Sequence, residues 1–252
     1  MKKKIIIFRA SGPVSNIYLH QKLSHINYNL VSLPILKVNK IYKDSILINS
    51  NDLVLTTSFY GVFYLSKLTQ ERNMSLFILG KPSNYLAKNL GFKNIIECTG
   101  DSASMLIKLV DNKNKFFKRN MGDIIYAGAK NISFNLPAEI EKLGYNVKRY
   151  KIYSSEAVNS FTKDFILWVK RKEVSWVVLL SVKGARTFYN NSKKYLSKKD
   201  ISNLKFACIS ENVAKKLNKP YFKKFFPTYP NTDYIREVIF KYERDNVTYK
   251  KN

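Results

Sequence analysis

MKKKIIIFRASG, residues 1–12, opens the chain, and its reading decides the fold. A secretory leader also begins with lysines, but its apolar run takes roughly 7 to 15 residues before a small-residue cleavage site. Here only Ile5, Ile6, Ile7 and Phe8 stand before Arg9. Three consecutive β-branched residues closed by a Ser11-Gly12-Pro13 cluster read instead as a short β-strand buried on both faces. Such strands belong to parallel sheets covered by helices on both sides.

The rest of the chain repeats that grammar. Apolar runs recur at DLVLTTS (52–58), LFILG (76–80), DIIYAG (123–128), SWVVLLS (175–181) and FACIS (206–210), each ending in Gly, Ser or Thr. Between them lie helical spacings, such as Ile17, Leu19, Leu23 and Ile26, or Leu136, Ile140 and Leu143. Strands alternating with helices predict an α/β fold with parallel sheets. The order also repeats. LHQKLSHINYNL (19–30) aligns with LPAEIEKLGYNV (136–147), TTSFYGVFYL (56–65) echoes LSVKGARTFY (180–189), and ILGKPSNYLAKNL (78–90) echoes CISENVAKKL (208–217). Two copies of one unit predict two similar lobes.

Composition narrows the function. At 252 residues and 45% hydrophobic content the chain suits one large or two small globular domains. No apolar stretch approaches the roughly 20 residues that span a bilayer. Cys98 and Cys208 lie far apart without a partner motif, which fits a reducing, cytoplasmic setting. The formal charge of +26 has two readings. One is a polyanionic partner concentrated by the summed potential. The other is compositional drift, because only Arg9, Arg72, Arg119, Arg149, Arg171, Arg186, Arg236 and Arg244 of the 44 basic residues are arginines, and nucleic-acid readers lean on Arg. KNKFFKR (113–119) and KKLNKPYFKKFF (215–226) mix lysines with aromatics that could stack bases, or serve as solvated helix faces and strand ends.

Turns at the C-terminal ends of parallel strands are where open sheets bind ligands, with backbone N–H groups turned to anions. TTSFYG, LGKPS, AGAKN, LSVKG and ISEN are such turns. Each alone is equally a helix cap. Together they predict an anion-binding cleft built largely of main chain. LGKPS has no glycine four residues before its Gly-Lys, and no G-x-G-x-x-G occurs, so nucleotide binding is disfavoured. His20 and His25, the only histidines, sit five apart on a predicted helix and do not share a face. No metal site, nucleophile or Ser/His/Asp set can be assembled, and Glu139 and Glu141 read as solvated helix residues.

In order and spacing, IIIFRA, SLPILKV with Pro34, DLVLTTSFYGV, LFILGKPSNYLAKNLGF, IIYAGAKNISFNLPAEIEKLGYNVKRYKIY, WVVLLSVKGARTFY and FACISENVAKKL resemble the uroporphyrinogen-III synthase family from about Lys4 to Ile239. The resemblance implies two α/β lobes, each a parallel sheet flanked by helices, joined by a two-stranded β connector. One lobe would be discontinuous, residues 1–33 plus 157–245; the other would be 42–149, with 34–41 and 150–156 as connector strands. It implies a cofactor-free, metal-free enzyme. The substrate would be the linear tetrapyrrole hydroxymethylbilane with its eight carboxylates, closed with loss of water and inversion of the terminal pyrrole ring through a spiro intermediate.

Carried over onto this sequence, the resemblance assigns Tyr153 to catalysis and Thr57, Ser58, Gly80, Ser83, Gly128, Ser181 and Ser210 to substrate binding. Lys130 and Lys183 join them on charge, as carboxylate partners. Tyr153 reads two ways, as a core or hinge aromatic or as a phenol donating to the departing hydroxyl. Val213 stands where many members carry a small hydroxyl residue, Ser210 replaces a common glycine, and AGAKN lacks the Arg-Gly of some relatives. A cytoplasmic monomer that receives the bilane from the enzyme forming it, with no membrane or nucleic-acid partner, completes this expectation. The alternative is a non-enzymatic, basic two-lobed module that binds nucleic acid or another polyanion.

Overall fold

A computed structural model describes residues 2–11, 23, 27–116, 122–228 and 232–248. His20, His25 and most of the helix expected over 17–26 lie outside the described residues, as do Gly12, Pro13 and part of KNKFFKR; Leu23 is helical and buried. The chain divides into two compact units, Met1–Val38 with Glu156–Asn252, and Asn39–Ser155.

In the first unit, strands β1 (Lys4–Ser11), β2 (Asn29–Lys40), β8 (Val174–Leu179), β9 (Lys205–Cys208) and β10 (Lys223–Phe225) follow the order β10-β9-β8-β1-β2. The pairs β1–β2, β1–β8, β8–β9 and β9–β10 are all parallel. The isoleucine run explains why β1 is central. Ile6 and Phe8 enter one core with Phe165, Val177, Phe188 and Phe206, while Ile5 and Ile7 enter another with Trp176, Val178 and Ile235. Burying each such side chain contributes about 1.5–3 kcal/mol. Helices α6 (Lys163–Lys170), α7 (Val182–Tyr195), α8 (Lys198–Ser202), α9 (Glu211–Ala214) and α10 (Thr232–Thr248) also belong to this unit.

The second unit holds β3 (Leu53–Thr56), β4 (Ser75–Leu79), β5 (Ile95–Cys98), β6 (Ile124–Ala129) and β7 (Val147–Ala157), in the order β7-β6-β3-β4-β5 and again parallel. Its helices are α1 (Phe59–Leu65), α2 (Gly80–Asn89), α3 (Ser102–Asp111), α4 (Lys113–Phe116) and α5 (Leu136–Glu141). Leu53, Leu55, Phe77, Ile124 and Tyr126 build its core against Met105, Leu109, Leu136 and Ile140. Of the expected helical triad, Leu136 and Ile140 are buried while Leu143 is exposed. The chain passes between the units within β2 and β7.

In each unit the strand order reverses direction at one place, between β3 and β6 in the second and between β1 and β8 in the first. Parallel sheets bind ligands beyond the carboxyl ends of strands at such a switch point. That is where the hydroxyl-bearing turns after β3 and β8 stand.

Candidate active site

Strand β3 ends at Thr56, and the chain turns through Thr57 and Ser58 into α1. Ser58 is extended (φ −155°, ψ 154°), and its hydroxyl accepts from the Gly61 N–H at 2.9 Å, capping the helix. Gly61 has no alternative there, because a Cβ would lie 1.8 Å from Thr56 Oγ1 and 3.2 Å from Ser58 Oγ. The cap therefore holds Ser58 fixed against the strand end.

Two tyrosines meet this turn. Tyr153 comes from β7, where the register with β6 slips between Gly128 and Ala129, so that Lys151 opposes Gly128 and Tyr153 opposes Ala129. The slip breaks strict alternation, and Ile152 and Tyr153 are both buried. The Tyr153 hydroxyl lies 2.8 Å from Ser58 Oγ. Its ring stacks on Tyr64 at 5.9 Å and tilts against Tyr60 at 6.2 Å. Burial pushes its phenol up to about 12, only partly opposed by the Ser58 hydrogen bond, so it is protonated at neutral pH. Tyr126, 1% exposed on β6, places its hydroxyl 3.0 Å from Thr57 Oγ1. Burial raises its phenol too, against the opposing pull of Thr57 and Arg149.

The candidates divide by position. Ser58 and Tyr153 are joined directly by their hydroxyl contact, and Thr57 adjoins them in sequence with its own hydroxyl contact to Tyr126. Lys130 is exposed and tied in by backbone, its N–H donating to the Tyr153 carbonyl at 2.8 Å and its carbonyl accepting from Arg149 Nη2 at 3.1 Å. Gly128 is buried, and a Cβ on it would meet the Tyr126 ring at 2.6 Å, so the missing side chain makes room for that phenol. Gly80 opens α2 after β4, and Ser83 is buried in the same first turn.

The remaining candidates belong to the first unit. Ser181 caps α7 by accepting from Gly184 N–H at 3.0 Å, with Lys183 half-buried in that turn, and Ser210 caps α9 by accepting from Val213 N–H at 3.4 Å. The matching caps are Ser58 with Gly61 and Ser181 with Gly184, one residue off the sequence alignment that set Thr57 against Ser181. Among the described residues, no group of three or more His, Cys, Asp or Glu could hold a metal ion, and no helix is long and apolar enough to cross a membrane. Sequence reading passed over Tyr60, Tyr64, Tyr126 and Arg149. The one available signal was a phenol two residues before a glycine inside an otherwise apolar core strand.

The family model for uroporphyrinogen-III synthase HemD matches residues 18–234. The chain belongs to the uroporphyrinogen-III synthase family. Solved structures agree on the fold. Uroporphyrinogen-III synthetase from Helicobacter pylori superposes with a TM-score of 0.59 at 15% identity, covering 95% of this chain and 99% of that one. A mutant uroporphyrinogen III synthase from the extremely thermophilic bacterium Thermus thermophilus gives 0.51 at 15% identity, with 95% and 98% covered. No curated protein sequence matches significantly. Family membership implies an enzyme of tetrapyrrole biosynthesis acting on a small-molecule tetrapyrrole. The family match does not support the nucleic-acid-binding alternative.

Proposed function

We propose that the chain is a uroporphyrinogen-III synthase, cyclising hydroxymethylbilane with inversion of the terminal pyrrole ring and loss of water. The observation that carries this reading is the chain Gly61 N–H, Ser58 hydroxyl, Tyr153 phenol, set in the fold of this family. Ser58 already accepts from Gly61, so its proton is available to the Tyr153 oxygen. That leaves the phenol proton for a ligand, and successive hydrogen bonds polarise one another. As the carbon–oxygen bond of the bilane breaks, assisted by its pyrrole nitrogen, Tyr153 gives its proton to the departing hydroxyl and water leaves. The methylene carbon freed of its hydroxyl bonds to the already substituted α-carbon of the terminal pyrrole, giving the spiro intermediate. The old bond from that α-carbon to its neighbouring methylene bridge then breaks, and the bridge bonds instead to the free α-carbon of the same ring, which inverts it. The proton displaced from that carbon returns to the phenolate.

In this reading most of the barrier falls through positioning, worth roughly 7–11 kcal/mol for well-held reactants. No nucleophile, metal or cofactor is called for. The eight carboxylates are assigned to hydroxyl, main-chain and lysine donors: Thr57, Ser58, Gly80, Ser83, Gly128 and Lys130 in the second unit, Ser181, Lys183 and Ser210 in the first. The two compact units serve as the two lobes, with β2 and β7 as the connector. The enzyme works as a cytoplasmic monomer that takes the bilane from the enzyme that forms it.

Expression in a bacterium whose own uroporphyrinogen-III synthase has been deleted tests the assignment in cells. Restored haem synthesis is the expected result. A folded, abundant chain that fails to restore it contradicts the assignment.

A further inference from the structure

Adjacent residues Thr57 and Ser58 each meet a tyrosine of their own, and only the Ser58 partner figures in the proton transfer. We infer that Tyr126 is a positioning residue that aims the Thr57 hydroxyl at a substrate carboxylate; this rests on the synthase reading above.

The argument is one of hydrogen-bond direction. Tyr126 is 1% exposed, and its hydroxyl lies 3.0 Å from Thr57 Oγ1. Buried hydroxyls place their proton on a partner. Of the two oxygens only Thr57 belongs to a half-buried residue at the strand end, so only Thr57 has a side open to a ligand. Ser58 Oγ already accepts from Gly61 N–H and so gives its proton to Tyr153, whereas Thr57 Oγ1 accepts from no backbone N–H among the described residues. Tyr126 therefore donates inward to Thr57, and the Thr57 proton is left to point outward. The reverse arrangement would turn lone pairs toward an anion. An ionised carboxylate can only accept, so a fixed outward donor suits it.

The surroundings hold this geometry. The Tyr126 ring fills the space a side chain at Gly128 would take, with Cε1 2.6 Å, Cζ 2.9 Å and Oη 2.9 Å from where a Cβ would stand. A fully buried ring wedged against its own strand cannot swing its hydroxyl off Thr57. The two phenols also feel each other, since Tyr126 adds to the upward push on Tyr153. In this reading one hydroxyl pair serves the leaving group and the other a carboxylate.

A double-mutant cycle on the reaction itself provides the test. Tyr126→Phe, Thr57→Val and the double variant are compared with the intact chain for kcat, KM and melting temperature, using hydroxymethylbilane and separating the product isomers. Each single variant is expected to raise KM about three- to ten-fold, the loss of one neutral hydrogen bond, with kcat within about two-fold. The double variant should match Thr57→Val alone, because Tyr126 acts only through Thr57. Multiplicative effects on KM, or a Tyr126→Phe variant that melts lower yet keeps its KM, overturn the inference and leave the synthase reading intact. An intact chain that forms no uroporphyrinogen III overturns both.

Discussion

Replacing Tyr153 by Phe removes one oxygen and leaves the ring between Tyr60 and Tyr64, so the perturbation reaches the chemistry more than the fold. The Ser58 hydroxyl keeps its bond from Gly61 N–H and loses only its contact with the phenol. A neutral hydrogen bond of this kind contributes about 1 kcal/mol, less where water can replace it, and Ser58 is half-buried. In a protein of this size that loss lowers the melting temperature by roughly 2–4 °C. Positioned acid catalysis typically contributes about 10² to 10⁴ in rate, so uroporphyrinogen III formation should slow at least about ten-fold. Burial holds the phenol at about 12, so it stays protonated across any practical assay range. The ratio of intact to variant rates should therefore be flat between about pH 6 and pH 10, where an ordinary phenol would begin to lose its proton. The assay is initial-rate cyclisation with isomer separation at several pH values, alongside thermal melting. A well-folded variant with full activity refutes the proton-donor role, and a rate ratio that collapses with a midpoint near about pH 10 refutes the buried, raised phenol.

Other predictions reach the packing beneath the site. Gly128→Ala forces a Cβ to within 2.6 Å of the Tyr126 ring and should cost roughly 1–3 kcal/mol, measurable by urea unfolding, while raising KM through displacement of the Tyr126 hydroxyl. Arg72 donates to the carbonyls of Ser66, Thr69, Glu71 and Leu90 and lies over the Phe92 ring at 4.7 Å. Arg72→Ala should lose roughly 2–4 kcal/mol, and Arg72→Lys should recover little of it, because an ammonium cannot reproduce the planar fork. In the first unit, burial alone would raise the Glu243 carboxyl, but hydrogen bonds from Lys205 and Trp176 outweigh it and hold the group below the usual carboxylate range. A carboxyl lowered in the folded state contributes stability above its unfolded pKa and loses it as pH falls through the folded value. Acid should thus weaken the anchoring of α10 below about pH 4.3, the ordinary Glu value, and Glu243→Gln should flatten that dependence in pH-resolved melting curves.

The sheet was legible in the sequence because both of its faces are buried. A strand covered on each side needs an unbroken apolar run, and Ile5–Phe8, Leu53–Leu55, Leu76–Ile78, Ile124–Ala127 and Trp176–Leu179 supply one each. Edge strands were harder. β5 and β10 are short and only partly buried, so Ile95–Cys98 and Lys223–Phe225 carry weaker patterns, the second interrupted by lysines. Helix starts after β3, β8 and β9 could be read from Ser58, Ser181 and Ser210, since capping is a local interaction with a residue signature. The hydroxyl pairs could not. Tyr126 and Thr57 are 69 residues apart, and Tyr153 and Ser58 are 95 apart. Tyr126 reads as one more apolar residue of a core strand until the ring is seen against Gly128. Tyr153 reads ambiguously because the register slip in β7 buries two successive residues, a break that alternation cannot foretell.

The reaction itself separates the synthase reading from every other. Hydroxymethylbilane closes spontaneously to uroporphyrinogen I, so the isomer formed in the presence of the chain reports whether the terminal ring has been inverted. The purified chain at catalytic concentration, mixed with hydroxymethylbilane at neutral pH and analysed by isomer separation after oxidation, should yield predominantly the type III isomer. The yield should rise with protein concentration and fall in Tyr153→Phe. Predominantly type I product at every concentration of a folded chain would contradict the account.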